Sequence, residues 1–170
     1  MAEPLKQVNN VAFTSGSHPR KGLAYALLSI PVGMILWVII WQMGFIASIS
    51  SFAIAWLAIY LYRVGARSSV TRKVLPYLIA IIVVGVVLSF IAGMASDAVD
   101  FYNNKNSLSG MGTIFSGDFW SFFFDNLFNN PDLWASYTSD IIMSVVFAAI
   151  GLYGIVRDLF MVKKPAAVKS

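Results

Sequence analysis

Residues 22–62 read GLAYALLSIPVGMILWVIIWQMGFIASISSFAIAWLAIYLY, 41 residues without one charged side chain. A helix crossing the hydrocarbon core of a bilayer needs about 20 apolar residues. The run is too long for one crossing and the right length for two. Gln42-Met43-Gly44 is the one place in it that joins a polar amide to a glycine, so the reversal is expected there. Helix one is then predicted over about residues 22–41 and helix two over about 45–62, paired as an antiparallel hairpin.

Two further spans follow from the same reasoning. Residues 74–95 are another 22 without charge, and residues 141–156 form an apolar core of 16. The last is short for a crossing, but flanking residues extend it to about 138–160, with Asp140 and Arg157 reaching for the interfaces. The chain is thus expected to be an all-α integral membrane protein, an antiparallel four-transmembrane-helix bundle. Composition supports this. Of 170 residues, 58% are hydrophobic and only 12% charged, against roughly 45–50% apolar and about 25% charged in a soluble domain. So much apolar surface exceeds what a core of this size encloses, and lipid must solvate part of it. Disorder, a coiled coil and a nucleic-acid-binding domain do not fit these figures.

The net charge of +4 is explained by where the charges lie. Lys6, Arg20 and Lys21 precede helix one, and Arg63, Arg67, Arg72 and Lys73 separate helices two and three. Arg157, Lys163, Lys164 and Lys169 follow the core of helix four, so that only Lys105 among twelve basic residues falls on the other side. Asp97, Asp100, Asp118, Asp125, Asp132 and Asp140 lie there with it. The positive-inside rule places both termini in the cytoplasm, and the chain is expected in the plasma membrane. Trp37, Trp41, Trp134 and Tyr137 are expected in an outer aromatic belt, Tyr25, Tyr60, Tyr62 and Tyr77 in an inner one. The basic surplus then faces an anionic leaflet and calls for no nucleic acid. Residues 1–21 read as a retained cytoplasmic tail and not a signal peptide, and 163–170 as a second tail. The chain has no cysteine, which leaves no disulfide, thiolate or iron–sulfur chemistry.

The outer segment, 96–137, is not a plain loop. NNKNSLSGMG (103–112) reads as a polar, mobile stretch. From Phe115 the pattern becomes FSGDFWSFFFDNLF, in which Asp118, Ser121, Asp125 and Asn129 recur at spacings of three and four. That predicts an amphipathic interfacial helix over 115–129, with Phe119 and Phe123 among its anchors. Asn130-Pro131-Asp132 is a helix start from which helix four, or a short pre-helix, would begin.

Few residues carry the pattern of a reactive site. Asp97, Asp100, Asp118 and Asp125 are candidates for a divalent cation, since oxygen-rich clusters hold such ions. No EF-hand spacing accompanies them, and the plainer reading is that they keep the outer surface solvated. His18, in GSHPRK, is one histidine without partners and reads as a solvated side chain. The interiors of the spans hold no charged residue, which argues against a proton relay or a charge-coupled transporter. Their strongest signal is small residues: Ser29 and Gly33 on helix one, Ala47, Ser51 and Ala55 on helix two, Gly85, Ser89 and Gly93 on helix three, and Ser144 and Ala148 on helix four. Small residues four apart let helix backbones approach closely, within a chain or between chains. Pro31 lies far enough into helix one to kink it, whereas Pro76 fits the first turn of helix three.

The hairpin GMILWVIIWQMGFIASISSFAIAWLAIYLYRVGA (33–66), followed by the amphipathic stretch 115–128, resembles a loose group of small bacterial four-span membrane proteins. That resemblance implies the four-span fold and brings no assigned activity. Taken together, the sequence predicts a non-enzymatic membrane protein without cofactor, working by helix association. Its partners would be the lipid bilayer and either further copies of itself or other subunits of a membrane complex. The alternative is an oligomeric channel or facilitator for a small solute or cation, with the outer acids as its vestibule and Ser48 and Ser51 along its path. An enzyme using the outer aspartates and a metal is a third and poorer fit, for want of an organised acid–base pair.

Overall fold

The computed structural model describes residues 18–43, 47–106 and 111–161. Residues 1–17, the C-terminal tail, the Gly44 end of the reversal and part of the 103–112 stretch lie outside those residues, whereas Pro19–Lys21, expected in the N-terminal tail, form the start of the first helix. The regular structure described is helical: α1 (Pro19–Leu27), α2 (Ser29–Gln42), a 3-10 turn (Ala47–Ile49), α3 (Ser50–Ala66), α4 (Leu75–Asn106), a second 3-10 turn (Met111–Phe115), α5 (Gly117–Asn129) and α6 (Pro131–Met161). Four stretches are long and apolar enough to cross a membrane: Pro19–Gln42, which spans α1 and α2, then Ala47–Ala66, Leu75–Asn106 and Pro131–Arg157.

The interruption between α1 and α2 falls at Leu28, three residues before Pro31. Proline has no N–H to give the carbonyl four residues back, and its ring crowds that turn. The turn tightens instead: the Leu28 N–H donates to the Tyr25 carbonyl at 3.0 Å, and the Ser29 hydroxyl donates to the Ala26 carbonyl at 2.7 Å. Pro76, at the second position of α4, costs no ladder bond, as its place in the first turn predicts.

Two elements run further than the sequence suggests. α4 continues from Ala95 through Asn106, taking up residues 103–106 of the expected loop. The continuation is held by packing, because Val99 and Asn103 are buried and the Thr113 hydroxyl donates to the Asn103 side-chain carbonyl. α6 begins at Pro131 and needs no separate pre-helix. The Asn130 side-chain oxygen accepts from the N–H groups of Asp132 and Leu133 at 3.1 and 3.4 Å, which caps the helix with proline at its first position.

The small-residue stripes are taken up inside the chain. A Cβ on Gly22 would stand 2.6 Å from the Ala66 Cβ, and one on Gly33 would stand 2.5 Å from Ile54. Early residues of the first span thus meet late residues of α3, while later ones meet its beginning. On α4, Gly85 faces Ile54, Ser89 faces Gly33, and Gly93 lies under the Trp37 indole. Ala47, Ser51 and Ala55 are fully buried, and Ala55 meets Gly151 of α6. Ala148 is half-buried.

Two apolar clusters result. One, around Ala58, Tyr62, Leu78, Ile82 and Ile155, occupies the end where α3 turns into α4. There α3 closes with Arg67 in the left-handed conformation (φ 50°), the His18 N–H donates to the Ala66 carbonyl at 3.1 Å, and the Arg72 guanidinium donates to the Leu159 carbonyl at 3.0 Å. The other, around Trp37, Phe90, Met94, Phe119 and Phe123, lies at the α5 end.

Candidate functional site

The α5 end is where chemistry-bearing side chains converge. On α4, Phe90, Met94, Asp97 and Phe101 recur at spacings of three and four, so they share one helix face. Asp97 is half-buried on that face. One of its carboxylate oxygens accepts from the Trp41 indole N–H at 2.7 Å, and the other accepts from the Tyr137 hydroxyl at 2.6 Å. A single carboxylate thereby ties α2, α4 and α6 together. Beside it the Gln42 amide donates to the Ser96 hydroxyl, a second link from α2 to α4.

Rings stack up to this clasp. Trp37 meets Phe90 edge-on at 5.9 Å between centroids, Phe90 meets Tyr137 edge-on at 5.8 Å, and Trp41 lies tilted against Tyr137 at 5.7 Å. Such edge-to-face pairs add to area burial because the positive ring edge meets the negative face of its neighbour.

Next to the clasp is a cavity of about 280 Å³ between α4, α5 and α6, lined by Asp97, Phe101, Phe122, Phe123, Asn126 and Tyr137, among others. α5 closes it by burying Phe119, Phe123 and Leu127 as one stripe. The amides on its wall already serve the local fold. Asn126 Nδ2 donates to the Phe122 carbonyl at 2.9 Å, and the Asn130 carbonyl oxygen caps α6. Asp97 is the one anionic side chain of the lining.

The other candidate residues separate. Asp100 lies on a different face of α4, beside a second hollow with Ile114 and Trp120. Asp118 and Asp125 are exposed on α5, where Asp125 accepts from the Asn129 amide at 2.8 Å. The four aspartates do not converge: among the described residues no three histidines, cysteines or carboxylates stand close enough to hold a metal ion. Ser48 and Ser51 are buried at the start of the second span, and their hydroxyls have no partner among the described residues. His18 is exposed.

The aromatic residues divide differently from the expected belts. Trp37 is fully enclosed, because Gly93 leaves room for its indole. Phe119 and Phe123, expected as anchors, are core residues, and the exposed stripe of α5 is Trp120, Phe124 and Phe128. Trp134 keeps an exposed face while its indole N–H donates to the Leu127 carbonyl at 2.8 Å. Sequence reasoning singled out Asp97, Trp41 and Tyr137 for unrelated reasons. It missed Phe101 and Asn126 as cavity walls, although the spacing of Phe101 from Asp97 was a usable signal. The chain matches no protein-family model, no curated protein and no solved structure.

Proposed function

We propose that the chain is a non-enzymatic, multi-pass protein of the plasma membrane, an antiparallel bundle with both termini in the cytoplasm, and that it works by lateral association through its fourth helix. The observation that carries this reading is the uneven burial of the spans. The most apolar window of the fourth is 11% buried, against 44% and 39% for the second and third. In lipid there is no hydrophobic drive between helices, so association depends on close backbone approach at small residues. The first three spans have spent theirs on one another. The fourth keeps one open: Gly151 packs against Ala55, but a Cβ on Gly154 would meet nothing within 4 Å. Gly154 floors an open groove of about 250 Å³ walled by Trp56, Tyr60 and Arg63 of α3 and by Ile155.

The first partner to test is a second copy of the chain. Because the chain contains no cysteine, single-cysteine variants report contacts without background. Gly154→Cys is expected to form a disulfide-linked dimer on oxidation in native membranes, whereas Val83→Cys, exposed on α4, stays monomeric. Linkage of Gly154→Cys to a different membrane protein would assign the accessory-subunit form of the proposal. Monomer alone at both positions, at every expression level, would overturn it.

A further inference from the structure

The geometry points to the cavity beside Asp97 as a binding site for a small organic ammonium group, held by one carboxylate and an aromatic wall. The ligand's chemistry follows from what the walls offer. Phe101, Phe122, Phe123 and Tyr137 line the space, and the only anionic side chain among the lining residues is Asp97. The Asp97 carboxylate accepts two hydrogen bonds from neutral donors, Trp41 and Tyr137. A carboxylate has room for about four such bonds, and these two donors leave its charge uncompensated.

Charge and volume together select the ligand. A hard divalent cation needs about six to eight oxygen ligands, and one carboxylate beside amides committed to α5 and α6 does not supply them. A weakly hydrated alkylammonium needs no such cage. It is attracted to the faces of aromatic rings within about 6 Å, at about 0.5–2 kcal/mol per contact. A cation already stands over one ring of this wall, where the Lys105 ammonium lies 6.0 Å from the centroid of the Phe122 ring. At about 280 Å³ the cavity lies at the small end of ligand sites, which suits a headgroup of a few heavy atoms. Two sources present that chemistry: the quaternary ammonium headgroup of a zwitterionic phospholipid and a free organic cation. The first rests on the membrane reading above; the second does not.

The test uses the purified full chain in detergent, titrated with tetramethylammonium chloride against sodium chloride at matched ionic strength. The melting temperature is followed by tryptophan fluorescence. Tetramethylammonium is expected to raise it saturably and sodium not. Phe101→Leu and Phe122→Leu keep apolar bulk but remove the ring faces, and each should weaken apparent affinity by about 3- to 30-fold. Asp97→Asn should abolish the shift. Because that variant also disturbs the clasp, the two leucine variants keep the test decisive. No saturable shift with wild type, an undiminished shift in both leucine variants, or an equal shift with calcium would overturn the site. Repeating the titration in phosphatidylcholine and phosphatidylglycerol nanodiscs separates the sources. A lipid occupant pre-empts the shift in the first only, and a free cation gives it in both.

Discussion

Removing the Asp97 carboxylate would leave the Trp41 indole N–H and the Tyr137 hydroxyl, both on partly buried side chains, without their acceptor. Hydrogen bonds to a charged group contribute about 1.5–3 kcal/mol each, and a stranded donor loses its desolvation cost as well. Asp97→Ala is therefore expected to destabilise the folded chain by about 2–4 kcal/mol, whereas Trp41→Phe, which takes donor and ring polarity away together, costs less. Unfolding by titration with SDS in mixed micelles measures both. The exposed Asp118→Ala is the control, expected within about 0.5 kcal/mol of wild type. Asp97 also marks a limit of sequence reading. Its partners lie 56 and 40 positions away, so no local pattern joins them, and a lone carboxylate after a span looks the same whether it meets water, a metal or an indole. The tryptophan and tyrosine were legible as residues of one end of the bundle, but their acceptor was not.

α5 shows the same limit at the scale of an element. Its existence and polar face were legible, because Asp118, Ser121, Asp125 and Asn129 repeat at helical spacing and all four are exposed. Which aromatics face inward was not legible, since aromatic residues occupy every remaining flank. The structure buries Phe119, Phe123 and Leu127 and leaves Trp120, Phe124 and Phe128, each one position on, on the outer flank. One position is a rotation of about 100° on a helix, and composition does not resolve it where both stripes are large and apolar, with two phenylalanines each. The two stripes should respond differently to truncation. Phe123→Ala opens a hole in the cluster that holds α5 to α4 and should cost about 3–5 kcal/mol in the same micelle assay. Phe128→Ala, at a residue 77% exposed, should leave stability within about 0.5 kcal/mol. It should instead reduce quenching of the neighbouring indoles by brominated lipid, because an exposed aromatic stripe anchors a helix at the headgroup level. A larger loss of stability from Phe128→Ala than from Phe123→Ala would place the stripes the other way round.

At the scale of the whole molecule, charge and packing meet in one arrangement. The spans were legible because an apolar stretch of about 20 residues has few other uses. The way the small-residue stripes pair was not, because closeness of Gly22 to Ala66 or Gly93 to Trp37 is a property of the assembled chain. Folding brings Arg63, Arg67, Arg72 and Lys73 to the end where Arg20, Lys21 and Arg157 also lie, since Gly22 abuts Ala66 and Arg72 reaches the Leu159 carbonyl. Asp97, Asp100, Asp118, Asp125 and Asp132 gather toward the α5 end with Lys105 as the only described base there. Basic segments are retained on the cytoplasmic face, and those near span ends weigh most, so the proposed orientation puts the basic end in the cytoplasm. Two exposed positions read it out. Ser69, between α3 and α4, and Asn104, near the end of α4, are each open to reagent, and the cysteine-free chain gives no background. On intact cells a membrane-impermeant maleimide should label Asn104→Cys and spare Ser69→Cys until the membrane is permeabilised. The inverse pattern would reverse the orientation and put the Asp97 cavity in the cytoplasm, changing which ammonium compounds reach it. Labelling of both positions on intact cells would mean that α4 does not cross the membrane, and the lateral role assigned to α6 would lose its setting.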